Sequence, residues 1–139
     1  MQKNITSSFL GPKIYSEFRK IALLNNRAIS DLGINTITSA YLHVIESKDK
    51  LPSKNEKILK QILTYGENIT ETLDFKNIIF IAPRVGTISP WSSRATDIIQ
   101  HCGIDILRIE RIKVVSFKTN ADKILNEIEK KKLGEFLYD

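Results

Sequence analysis

The sequence predicts an α+β fold, a single domain in which helices pack on a sheet. Three observations lead to it. Short runs of apolar and β-branched residues alternate with segments whose apolar residues recur at helical spacing. The order is strand, helix, strand, helix, and then the same again. The chain has 139 residues, 42% hydrophobic and 27% charged, enough for one real core and ordinary for globular material.

The first strand is short, about Ile5 to Leu10. A helix runs from near Pro12 to Asn25, with Ile14, Phe18, Ile21 and Leu24 on one face, and Asn25, Asn26 and Gly33 break it. The second strand is the long run Thr36 to Glu46. Ile37, Ser39, Tyr41, His43 and Ile45 share one of its faces, and Thr38, Ala40, Leu42 and Val44 the other. Neither face is cleanly polar, so both are expected to be partly covered. The second helix opens at Ser53, with Glu56 three residues on as a capping box. Ile58, Leu59, Ile62 and Leu63 form its stripe, and Gly66 stops it. Glu67 to Lys76 reads as a polar connector.

The third strand spans Asn77 to Ala82. The third helix begins near Ser89 or Ser92. Ser89-Pro90 suits an N-cap followed by Pro at the first helical position, Ala95, Ile98, Ile99 and Cys102 make an apolar stripe, and Gly103 closes it. The fourth strand, Ile106 to Lys118, swaps its apolar set between faces midway, which predicts a bulge or bend. Thr119 and Asp122 are placed to cap a last helix carrying Ile124, Leu125 and Ile128. Lys130, Lys131 and Lys132 suit the negative end of its dipole, and Gly134 is expected to interrupt it.

Several chemistries are excluded or left without a motif. A single Cys rules out an internal disulfide and a Cys-based zinc site within one chain. No Gly-rich phosphate loop and no dinucleotide fingerprint occur. His43 and His101 are the only histidines and form no local metal cluster. His101 neighbours Cys102, but adjacent helical residues diverge by about a hundred degrees, so the pair makes no dyad. Cys102 reads as a buried structural thiol and His43 as a satisfied structural histidine. The apolar runs are too short to span a bilayer and the N-terminus lacks a signal-peptide core, so a soluble cytoplasmic protein is expected.

The net charge is +5. Residues 83–118 hold Arg84, Arg94, Arg108, Arg111, Lys113 and Lys118 against Asp97, Asp105 and Glu110, so most of the basic excess lies there. Anionic ligands, nucleic acid and an ordinary basic surface all fit. That segment opens with the string least like scaffold, Pro83-Arg84-Val85-Gly86-Thr87-Ile88-Ser89-Pro90-Trp91-Ser92-Ser93-Arg94-Ala95-Thr96-Asp97-Ile98. An apolar strand feeds a hydroxyl-rich loop with the sole Trp, bracketed by two arginines, and then a helix start. Hydroxyls and guanidinium forks suit phosphate or carboxylate recognition; helix capping by the serines with ordinary surface arginines is the alternative. Trp91 fits equally a partner-facing anchor and a side chain folded over the core.

The same string resembles the N-terminal domain of phosphoribosylformylglycinamidine synthase in its large, fused form. The match begins at Phe80 and continues through His101-Cys102-Gly103 to Arg108-Ile109-Glu110-Arg111. Weaker agreement covers an opening strand and helix, Ala40-Tyr41-Leu42-His43 and Leu63-Thr64-Tyr65-Gly66. Val85 stands where that string often has Pro, and Arg94 where Lys is also usual. The resemblance implies a degenerate tandem repeat with halves at about 4–66 and 77–133, in which Phe9-Leu10-Gly11-Pro12-Lys13 echoes Phe80-Ile81-Ala82-Pro83-Arg84. Such a repeat would form one pseudo-twofold domain, helices on an antiparallel sheet, like two copies of the small subunit found where the synthase is split.

The parent enzyme uses ATP and ammonia from glutamine to turn an amide into an amidine. The resemblance puts ATP, magnesium and the glutaminase residues in other domains, so no cofactor, metal or catalytic residue is assigned here. It implies docking on the synthetase and glutaminase domains, or bridging them as an adaptor if they are separate chains. The candidate interface or substrate-cleft residues are Arg84, Thr87, Ser89, Trp91, Ser92, Ser93 and Arg94. A free docking surface also implies weak self-association. A nucleic-acid-binding module is a rival reading, with Phe117 and Tyr41 as its candidate stacking residues.

Overall fold

A computed structural model describes residues 3–66, 73–84 and 86–138. Its strands are β1 (Ile5–Lys13), β2 (Ile34–Ser47), β3 (Ile78–Ile81) and β4 (Arg108–Thr119). Its α-helices are α1 (Glu17–Leu24), α2 (Arg27–Ser30), α3 (Ser53–Ile62), α4 (Pro90–His101) and α5 (Glu127–Leu137). The strands form one four-stranded antiparallel sheet in the order β1-β2-β4-β3. The fold is α+β, as the residue pattern predicts. β3 is short and pairs with β4 from Ile78↔Ser116 to Ile81↔Lys113.

The residues group into two compact units. The first comprises 1–12, 41–67 and 82–112, and its core is Ile45, Leu51, Leu59, Leu63, Ile99, Ile104, Ile106 and Ile109. The second comprises 13–40, 68–81 and 113–139, with a core built on Leu23, Ile29, Ile34, Ile37, Val115, Phe117, Leu125, Leu133 and Leu137. Full burial of each large aliphatic side chain contributes about 1.5–3 kcal/mol, so either cluster is a substantial core. β2 and β4 each contribute residues to both units. Both faces of β2 are covered as expected, since Ile37, His43 and Ile45 are buried and so are Thr38 and Ala40.

Local chemistry explains where the elements begin, and several differ from expectation. β1 continues through Pro12 to Lys13. Proline lacks an N–H to donate, which an edge strand tolerates, and β1 is an edge of the sheet. α1 therefore starts at Glu17, where Ser16 accepts the Arg19 N–H as its cap. The later start turns Leu23 inward and leaves Phe18 83% exposed, so the expected Phe18–Ile21 face is not the core face. Asn25 ends α1, but Asn26 then caps the extra turn α2. Ser53 and Glu56 form no capping box, because Ser53 is already the first helical residue and Pro52 holds the cap position.

The true capping box lies at α5. Asn126 accepts the Glu129 N–H at 2.8 Å and the Glu129 carboxylate accepts the Asn126 N–H at 3.1 Å. Thr119 instead precedes, and Asp122 ends, a single 3-10 turn, Asn120–Asp122, with Ala121 and Asp122 at positive φ. The helix thus begins after Ile124, which is exposed, as is Ile128, and buries Leu133 and Leu137. Gly134 does not interrupt it; one helical glycine costs about 1 kcal/mol, which the flanking buried leucines offset. Cys102 is exposed at the C-terminal cap of α4, not buried, because the inward face of α4 ends at Ile99. Val85 and most of the 67–76 connector lie outside the described residues.

Replacing Asn126 by Ala should lower the unfolding free energy by about 1 kcal/mol. Urea denaturation followed by far-UV circular dichroism measures this, and an unchanged midpoint would show that the box contributes nothing.

Candidate functional site

The hydroxyl-rich string is built around α4, in the first unit. The Ser89 side chain accepts the Ser92 N–H at 3.0 Å, and Pro90 occupies the first turn, as the Ser-Pro pair predicts. Inward residues then recur at helical spacing: Ser92, Thr96 and Ile99 are buried. Two of these carry hydroxyls for a specific reason. β3 pairs with β4 only from Lys113 to Ser116. At Ile109, upstream of that register, the backbone N–H donates to Thr96 Oγ1 at 3.2 Å, and the C=O accepts a short hydrogen bond from Ser92 Oγ. The hydroxyls of α4 thus satisfy buried main-chain groups of β4. Ser89 extends the same seam by donating to the Glu110 carboxylate at 2.9 Å, and that carboxylate also accepts the Arg111 backbone N–H.

The seam sets the fate of each sequence-predicted residue. Ser92 is fully buried and Ser89 half-buried, and both hydroxyls are engaged within the unit. Trp91 is half-buried, packs against the core of its unit and also borders the polar cluster described next. Arg84, Thr87, Ser93 and Arg94 are exposed. Ile88 and Ile98 lie among them, 56% and 57% exposed.

A second arrangement, which the sequence reading does not single out, surrounds Trp91. The Arg111 guanidinium on β4 lies against two rings, 4.4 Å from the centre of Tyr41 on β2 and 4.7 Å from that of Trp91. One of its N–H groups donates to the Tyr65 hydroxyl at 3.3 Å, and that hydroxyl lies 2.8 Å from His43 Nε2. The hydroxyl accepts from Arg111 and shares a hydrogen bond with Nε2, whose direction follows the imidazole tautomer. Among the described residues Nδ1 meets no partner in good hydrogen-bond geometry, although the Phe9 carbonyl lies near enough to the ring to favour its protonated form. Gly11 backs the ring closely: a Cβ there would overlap His43 Cε1 and approach Nδ1 to 2.9 Å. Burial chiefly, with the Arg111 charge, lowers the His43 pKa; the nearby Phe9 carbonyl opposes this and does not prevail. Burial likewise raises the Tyr65 pKa against the pull of Arg111, which keeps it a phenol.

The stretches around Tyr41–His43, Tyr65, Trp91 and Arg111 each carry part of the family resemblance, and that was the available signal. Spacing alone could not join four segments so distant in sequence. Phe117, by contrast, is fully buried and Arg111 occupies one face of Tyr41, so neither offers an open stacking platform. Among the described residues, no group of three or more His, Cys, Asp or Glu is placed to hold a metal ion, and no helix is long and apolar enough to cross a membrane.

Fold and cluster define an α+β domain whose inward polar groups are engaged with its own strands and rings, while a separate set faces outward. The model of the formylglycinamide ribonucleotide amidotransferase N-terminal family matches residues 40–139, most of the chain. The chain belongs to that family, the N-terminal part of an enzyme of purine biosynthesis.

Ser92→Ala should cost about 1–3 kcal/mol, because the Ile109 carbonyl loses its buried donor; thermal melting reads this, and a variant as stable as the parent would refute the clamp. A pH effect follows from His43. Its folded pKa lies below the ordinary 6.5, so the unfolded state binds the proton more tightly. Stability should be full above 6.5 and fall as pH drops toward the lowered value. In His43→Gln this slope should flatten, as urea titrations at several pH values will show, and an unchanged slope would assign it to other groups.

Proposed function

We propose that this chain acts as a docking and assembly domain of a phosphoribosylformylglycinamidine synthase in the cytoplasm. It holds the synthetase and glutaminase domains together and has no catalytic step of its own. ATP, magnesium and the glutamine chemistry belong to those partners. The observation that carries this reading is the division of α4 and its loop. Their inward hydroxyls are engaged by β4, whereas Arg84, Thr87, Ile88, Ser93, Arg94 and Ile98 face outward. Two isoleucines more than half exposed beside arginines suit a protein interface, with an apolar contact inside a charged rim. Arg84 and Arg94 provide forks for carboxylates on the partner. Family membership supports the choice of partner.

The test supplies the chain in trans to a synthase lacking its N-terminal domain and measures both binding and glutamine-dependent turnover. Binding with restored turnover is expected. The pair Arg94→Ala and Ile98→Ser should weaken binding about tenfold, the scale of an interface hot spot, with little change in melting temperature. A well-folded chain that neither binds nor rescues would refute the docking role. Rescue of separately expressed synthetase and glutaminase chains would identify a stand-alone adaptor.

A further inference from the structure

Arg111 is a charged group that meets no charged partner among the described residues. Among the described residues no carboxylate pairs with it, and its one polar side-chain contact is the neutral Tyr65 hydroxyl. Glu110, its chain neighbour, directs its carboxylate to the Ser89 hydroxyl and to the Arg111 backbone N–H. A guanidinium carries five N–H donors in a planar fork, and among the described residues one meets a side-chain acceptor. The rings of Tyr41 and Trp91 contribute only about 0.5–2 kcal/mol each through their quadrupoles. They do, however, restrict the fork, so less side-chain freedom remains to be lost on binding. The neutral His43 behind Tyr65 fixes the phenol that in turn anchors the guanidinium.

We propose that Arg111, held against the rings of Tyr41 and Trp91, is a receptor for one oxyanion group, a carboxylate or a phosphate monoester, bound through the donors of its fork other than the one given to Tyr65. The planar fork matches both groups bidentately. Two sources present that chemistry: an acidic side chain of a docked protein and a phosphorylated small molecule. The site is distinct from the outward face of α4 and does not depend on the docking role.

Trp91 is the only tryptophan and lies against Arg111, so its emission reports on the site. The chain is titrated with inorganic phosphate and with acetate, each against sodium chloride at matched ionic strength. Trp91 fluorescence and the side-chain Nε–H signal of Arg111 in nitrogen-15 NMR spectra are followed. A saturating change with at least one oxyanion, absent with chloride, is expected, and Arg111→Gln should weaken it by about tenfold or more, the scale of a lost charged hydrogen bond. Tighter binding of phosphate assigns a phosphorylated ligand, and equal or tighter binding of acetate assigns an acidic side chain. Oxyanions that merely track chloride would overturn the proposal, as would undiminished saturation in a folded Arg111→Gln variant. Should that variant not fold, the Arg111 signal of the unaltered chain decides: a shift confined to oxyanions supports the site, and no shift overturns it.

Discussion

The two hydrogen bonds between α4 and the backbone of Ile109 are the constraint on which the first unit depends. β3 is only four residues long, and its pairing with β4 ends at Lys113. A buried peptide group beyond that register must still find partners, or it costs on the order of 1–3 kcal/mol. Ser92 and Thr96 provide them, four residues apart on one helical face. This fixes the rotation of α4 about its axis. Trp91 is carried toward His43 and Arg111, Ile99 into the core, and Arg94 and Ile98 into solvent. One seam therefore separates the structural half of the string from its outward half.

The cluster beside Trp91 follows a different logic, that of desolvation. Two ring faces and a phenol oxygen replace part of the water around the half-buried Arg111 guanidinium. A second cation close by would be costly, and burial already opposes charge on His43. The histidine accordingly serves as a neutral hydrogen-bond partner for Tyr65. Gly11 is required for this packing by simple volume, since a side chain there would occupy the space of the imidazole. Arginine, phenol, imidazole and a bare backbone position thus form one arrangement in which each choice limits the next.

Much of this was legible from short-range chemistry. Ser89-Pro90 marks the start of α4 because capping involves only the next three residues, and the four strands and the class of the fold follow from apolar patterning. Misreadings cluster where a non-local fact intervenes. Pro12 resembles a helix start until β1 is known to be an edge strand, and the phase of α1 shifts with it, exposing Phe18. Cys102 falls on an apolar stripe that tertiary packing uses only as far as Ile99.

By itself the sequence determined the order of the four strands and the longer helices between them, the α+β class, the Ser89 cap of α4, and the family, since a long string in register is specific without any fold. Only the tertiary structure decided which hydroxyls turn inward and which side chains meet. Ser92 depends on where β3 stops pairing, and Arg111 depends on β2, α4 and the segment around Tyr65 arriving at one place. Those are long-range consequences of strand register and helix rotation, and no spacing within a single segment encodes them.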